Sequence, residues 1–178
     1  MIVINLSLSG LKLIKPFLHV DNRGFFLESY NRDRYAEHGI DLSFVQDNLV
    51  YSKKGTLRGM HYQTDPGQDK LIYVSKGRIF DVAVDIRKSS STFGSYETQI
   101  LDETAQFFIP KGYAHGYLAL TDEAIVHYKV SSIYDPQKEK GFRWDDPQVA
   151  IPWPMKPLLI SERDKKAPSF SSLENSSL

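Results

Sequence analysis

Short extended runs recur along most of this chain at near-regular spacing, and turn-forming residues separate them. That pattern is the strongest constraint on the fold, because strands this short must pair to bury an apolar face. Residues 11–15 form one run, halted by Pro16, and Asp21-Asn22-Arg23-Gly24 is a turn. Residues 25–30 read as the next strand, and Asn31 then caps a short helix over 32–38 that Gly39 ends. Between Phe44 and Tyr62 two strands divide at Lys53-Lys54-Gly55. Residues 70–75 and 78–86 read as a hairpin turning at Lys76-Gly77, and 96–101 with 106–109 as a second pair. Residues 113–120 and 124–131 flank Thr121-Asp122, and 158–161 form a last strand before a short helix near Glu162. About ten short strands with little helix predict an antiparallel sandwich or barrel. An open parallel sheet would need helices between its strands, and they are missing.

Within 79–86, Phe80, Val82, Val84 and Ile86 share one face, and Ile79, Asp81, Ala83 and Asp85 the other. A face with two carboxylates among apolar neighbours either meets water or lines a polar cavity.

The 178 residues suffice for one domain with a real core and are too few for two. We therefore expect a single domain over 1–168 and a flexible Ser-rich tail over 169–178. Lys plus Arg and Asp plus Glu each number 22, which argues against a general nucleic-acid or membrane-surface binder. The absence of cysteine excludes disulfides, thiolate catalysis and Cys-held zinc. No apolar run reaches membrane-spanning length and no secretory signal is legible, so a cytoplasmic enzyme is expected.

Chemistry concentrates in residues 55–70, which bring Arg58, His61 and Lys70 together. A guanidinium suits a phosphate, an imidazole can take a proton from carbon, and an ammonium can stabilise the oxyanion that results. His61 and Lys70 have plainer alternatives, a core histidine and a solvent-facing lysine. A catalytic histidine needs an orienting carboxylate, and Asp81, Asp85 and Asp164 are candidates. Tyr128 is either a packed aromatic or a phenolic acid. Gln46, Asp47 and Asn48 lie mid-strand and need paired donors and acceptors, from a nucleobase edge or from a neighbouring strand. Arg23, Glu28, Glu139 and Arg163 read as surface charges unless the fold turns them inward. Metal-binding jelly rolls carry a His-x-His pair, but His61 is followed by Tyr62 and Gln63, so a metal-free barrel is preferred.

Several runs occur together in a telling order. They are 21–26 (Asp-Asn-Arg-Gly-Phe-Phe), 46–48 (Gln-Asp-Asn), 57–63 (Leu-Arg-Gly-Met-His-Tyr-Gln), 80–87 and the 110–116 segment Pro-x-Gly-Tyr-Ala-His-Gly. Tyr128-Lys129, Tyr134-x-Pro136, Trp144-x-Asp146-Pro147 and 159–164 continue the series. This set resembles the dTDP-4-dehydrorhamnose 3,5-epimerases over nearly the whole chain. The resemblance implies a cupin-type jelly roll with short peripheral helices, a homodimer, and no metal or organic cofactor. It implies dTDP-4-dehydro-6-deoxy-D-glucose as substrate and a place in dTDP-L-rhamnose synthesis for surface polysaccharide.

By motif position the resemblance makes His61 the base, Tyr128 the acid, Asp164 the partner of His61, and Lys70 the cation near the C4 oxygen. It assigns Arg23, Glu28, Gln46, Asn48, Arg58, His115 and Glu139 to holding the nucleotide sugar, with Asp47 among them on the same run. Two positions depart from the family pattern. Arg163 stands where the family often has lysine, which keeps charge but changes geometry, so its diphosphate role stays open. Asp69 replaces a glycine and puts an acid beside Lys70.

Overall fold

The computed structural model describes residues 1–173 of the chain. The early strands are β1 (Ile2–Asn5), β2 (Lys12–Lys15), β3 (His19–Asp21) and β4 (Gly24–Phe26), followed by helix α1 (Arg32–Ala36). The central strands are β5 (Gln46–Lys53), β6 (Thr56–Gln63), β7 (Lys70–Lys76), β8 (Ile79–Asp85), β9 (Tyr96–Leu101) and β10 (Gln106–Ile109). Then come β11 (Tyr113–Ala119), β12 (Glu123–Val130), β13 (Glu139–Gly141), β14 (Leu159–Ile160) and helix α2 (Glu162–Lys165). One sheet has the order β1-β2-β10-β7-β12-β5 and the other β13-β6-β11-β8-β9, with β14 parallel to β6; β3 and β4 form a separate hairpin.

The expected jelly roll is present, but two expected hairpins are not. β7 pairs with β10 and β12, whereas β8 pairs with β11 and β9. Strands β9 and β10 likewise belong to different sheets. From β5 to β13 each connection except β8–β9 passes from one sheet to the other. Turn residues mark where a chain reverses, and a reversal that crosses a sandwich has the same local chemistry as one that closes a hairpin. The strand expected over 25–30 stops at Phe26.

The alternation within strands builds three apolar layers. Ile72, Val74, Phe107, Ile109 and Val126 of the first sheet meet Ile79, Ala83, Tyr113, Tyr117 and Ala119 of the second, filling the space between. The opposite face of the second sheet, with Phe80, Val82, Val84 and Leu118, is covered by Phe142, Val149, Ile151, Phe170 and Leu173. Outside the first sheet, Ile14, Leu71 and Phe108 pack on Tyr35 and Ile40. Asn31 caps α1 by accepting from the Arg34 N–H, and the buried Tyr35 hydroxyl donates to Gln106 Oε1 at 2.6 Å. Part of the expected loose tail packs instead: Phe170–Leu173 form a 3-10 turn with both end residues buried, because Phe170 has Phe93 and Phe142 to stack on. Residues 174–178 lie outside the described residues.

Both carboxylates of β8 are fully buried. Asp85 accepts from the Arg87 guanidinium, the Ser90 and Thr92 hydroxyls and the Arg87 N–H, which closes the turn after the strand. Asp81 faces the interior near one end of the sandwich, where the filling changes from apolar to polar.

Candidate active site

At that end the inward positions of both sheets bound a cavity of about 740 Å³. The first sheet contributes Gln46 and Asn48 from β5, Lys70 from β7 and Tyr128 from β12. The second contributes Arg58 and His61 from β6, His115 and Tyr117 from β11, and Glu139 from β13. The C-terminal segment closes one side with Ser161, Arg163 and Asp164. Residues far apart in sequence thus reach one enclosure from the inward phase of their strands, and an irregularity in the β6–β11 register lets Arg58 and His61, three residues apart, both face it.

The register sets the chemistry. His61 and His115 are directly opposed on neighbouring strands. The approach is close: a Cβ at Gly59, whose φ is +132°, would lie 2.6 Å from Gly116 Cα. His61 Nε2 is 2.7 Å from Asp164 Oδ1. An ionised carboxylate only accepts, so Nε2 carries the hydrogen and Nδ1 keeps the open lone pair. Ser161 caps α2, its hydroxyl accepting the Asp164 N–H at 3.1 Å, and this fixes where Asp164 stands. Burial raises the Asp164 carboxyl, but the bond and charge of His61 and the Gly59 N–H outweigh it and hold it below the usual range.

Of the three carboxylates considered for His61, Asp164 is the one in contact. Asp81 instead accepts from His115 Nε2 at 2.9 Å. Lys70 is buried, and burial pulls its ammonium down to about 8 against the opposing charges of Glu139 and Asp81. Burial raises the Tyr128 phenol, which keeps its proton at neutral pH.

At the mouth Glu139 forms an ion pair with Arg163 and accepts from the Tyr134 hydroxyl at 2.8 Å. Gln46 Nε2 donates to Asn48 Oδ1 at 2.8 Å, and Gln46 Oε1 accepts the Tyr134 N–H at 2.9 Å. Arg58 donates from Nε to Ser52 Oγ at 3.3 Å and from Nη2 to the Tyr51 carbonyl at 3.4 Å, two long bonds with which a ligand oxyanion can compete. Among the described residues no three His, Asp or Glu side chains gather as metal ligands.

Three expected site residues lie elsewhere. Asp47 falls on the outward phase of β5 and pairs with Lys129 at 2.9 Å. Arg23 sits on the β3–β4 hairpin, exposed and paired with Asp21. Glu28 pairs with Arg34 beside α1. Asp69 stands just before β7, and its carboxylate accepts from the Ser131 hydroxyl at 2.7 Å and the Lys111 N–H at 3.1 Å. Tyr117 on β11, Tyr134 in the loop before β13 and the cap Ser161 also line the cavity, and neither a lone tyrosine nor a cap serine carries a spacing that assigns it a role there.

A profile of the family described as dTDP-4-dehydrorhamnose 3,5-epimerase matches residues 5–172. The chain belongs to the dTDP-4-dehydrorhamnose 3,5-epimerase family. The dTDP-4-dehydrorhamnose 3,5-epimerase of Methanothermobacter thermautotrophicus is 46% identical, covering 91% of this chain and 90% of its own. The dTDP-6-deoxy-D-glucose-3,5-epimerase of Legionella pneumophila, solved with dTDP-4-keto-L-rhamnose, is similar with a TM-score of 0.92 and 44% identity. That match covers 95% of this chain and 92% of the Legionella chain. A dTDP-4-dehydrorhamnose 3-epimerase of Streptomyces niveus is 40% identical over 91% of this chain and 80% of its own. Within this epimerase family the cavity between the two sheets is the candidate active site.

Proposed function

We propose that this chain inverts C3 and C5 of dTDP-4-dehydro-6-deoxy-D-glucose, giving dTDP-4-dehydro-L-rhamnose for dTDP-L-rhamnose biosynthesis. The observation that carries this reading is the arrangement of His61, backed by Asp164 on one sheet, and Tyr128 on the other, around one cavity that also holds Lys70. The C4 ketone acidifies the hydrogens at C3 and C5. Neutral His61 takes one of them at Nδ1, and the C–H electron pair moves onto the C4 oxygen. Lys70, itself buried in the cavity wall, stabilises that oxyanion. Tyr128 then gives its proton to the opposite face of the same carbon, which inverts it. Solvent returns a proton to the phenolate and removes one from the imidazolium. Arg58, His115, Gln46 and Asn48 hold the nucleotide diphosphate and base, and Arg163 reaches the diphosphate once it leaves Glu139.

We read the chain as one jelly-roll domain, expected over 1–168 and extended by the packed turn at 170–173, acting as a homodimer. Arg23 matches a nucleotide-sugar position yet lies on a hairpin outside the cavity, beside the exposed Val20, Phe25 and Phe26. A second copy is the partner that would cover those side chains and bring Arg23 to a cavity. We place the protein in the cytoplasm; among the described residues no helix is long and apolar enough to cross a membrane.

A one-carbon 3-epimerase is the second reading, favoured by the likeness to the Streptomyces niveus enzyme. Product NMR after reaction in deuterated water separates the two. Label at both C3 and C5 means double epimerisation, and label at C3 alone means the one-carbon reaction. His61→Ala should abolish the incorporation; full exchange in that variant would remove His61 as the base.

A further inference from the structure

Ser52 and Tyr117 are both buried, and their hydroxyl oxygens lie 2.9 Å apart. Neither has a task in the reaction above. Ser52 Oγ meets two groups, Tyr117 Oη and Arg58 Nε, the latter at 3.3 Å. A guanidinium only donates, so Ser52 accepts from Arg58. The hydrogen of the Ser52 hydroxyl then has one acceptor among the described residues, Tyr117 Oη. At 2% exposure Ser52 has little access to water, and an unpaired hydroxyl there is costly. Ser52 therefore donates to Tyr117, and the phenol keeps its own hydrogen for another acceptor. Among the described residues none takes it. The Tyr117 ring packs in the apolar layer between the sheets, and its hydroxyl is the end that stands beside Arg58 in the cavity wall. Burial raises the phenol, so it is a donor at neutral pH.

We propose that Tyr117 is a further substrate-binding residue: its free hydroxyl hydrogen is donated, together with the Arg58 guanidinium, to the diphosphate of the nucleotide sugar. Arg58 on β6 and Tyr117 on β11 are directly opposed in the ladder. Ser52 reaches them from β5 in the other sheet. Both donors are tied to a single oxygen, Ser52 Oγ, which sets their spacing before a ligand arrives. A phosphate oxygen is the acceptor that suits both. It strengthens the bond from the phenol by its charge, and the guanidinium balances that charge.

The inference rests on the reading of Arg58 as a diphosphate ligand. Calorimetry with dTDP and with thymidine tests it. Tyr117→Phe deletes one oxygen and leaves the ring in its layer. It should weaken dTDP binding roughly 10- to 100-fold and leave thymidine binding unchanged. Because that variant orphans the Ser52 hydroxyl, the change is also made in Ser52→Ala, where no hydroxyl is left unpaired. The same factor should separate Ser52→Ala from the double variant. A phenol that only braced Ser52 and Arg58 would give no further loss in that background, and this result overturns the proposal. Equal weakening of thymidine would place the hydroxyl on the nucleoside and overturns it as well. Arg58→Ala that weakens dTDP binding, while both Tyr117 variants bind as their parents do, defeats this inference alone. Wild-type protein that binds dTDP through Tyr117 yet exchanges no deuterium defeats the epimerase reading alone.

Discussion

His61 Nε2 lies 2.7 Å from Asp164 Oδ1, across 103 residues of sequence. The carboxylate is 5% exposed and the imidazole 26%, so the acceptor is shielded while the ring opens to the cavity. An acceptor-only partner is what fixes the tautomer. In Asp164→Asn the amide can donate and turn that preference round. We expect kcat to fall on the order of 10⁴-fold, with the melting temperature nearly unchanged. Initial rates by NMR check this, and an undiminished kcat would remove Asp164 from its orienting role.

Tyr128→Phe separates the two proton transfers. Without the phenol, His61 still removes the hydrogen and returns it to the face it came from. Deuterium should therefore enter recovered substrate while product formation drops roughly 10²- to 10⁴-fold. Product formed at the wild-type rate would show that the inverting proton comes from another group.

The β3–β4 hairpin leaves Val20, Phe25 and Phe26 in water, and Arg23 rides on it. Light scattering on the wild type should give twice the 20.4 kDa chain mass. Replacing Phe25 and Phe26 by serine should shift the mass toward the monomer and raise KM for the dTDP-sugar. A monomeric wild type with full activity would exclude the arrangement.

Asp85 belongs to stability. Burial raises its carboxyl, but hydrogen bonds from Arg87, Thr92 and Ser90 outweigh that and bring it from 3.8 down to about 2. A depressed carboxyl stabilises the fold fully above its unfolded value, and the contribution is lost as pH falls through the folded one. Asp85→Asn should therefore cost about 2 kcal/mol at neutral pH. It should also flatten the decline of stability between about pH 4 and pH 2. Denaturant melts across that range would show it; a variant as acid-sensitive as the wild type would refute it.

Period-two alternation in 79–86 was legible in sequence and correctly separated the interior face from the outer one. Sheet membership was not, because Gly77 can turn the chain at +83° whether the next strand pairs with the last or crosses to the other layer. The same limit governs the site. Ten of the proposed residues meet in one cavity, yet residue types alone could not choose between Asp81, Asp85 and Asp164 for His61. That choice depends on a cap serine at 161 and a two-residue parallel strand, both too short to leave a pattern. Asp47 was misplaced for a simpler reason: Gln46 and Asn48 share a face, and the residue between them cannot.

The strands of the two antiparallel ladders are complete by Gly141, whereas β14 and Asp164 come only afterwards. During synthesis the walls of the enclosure therefore leave the ribosome before the group that orients its base. A nascent or clipped polypeptide ending near residue 150 would lack Asp164 and also Ile151, Phe170 and Leu173, which cover the second sheet. One late stretch of chain therefore completes both the packing of the vessel and the chemistry inside it.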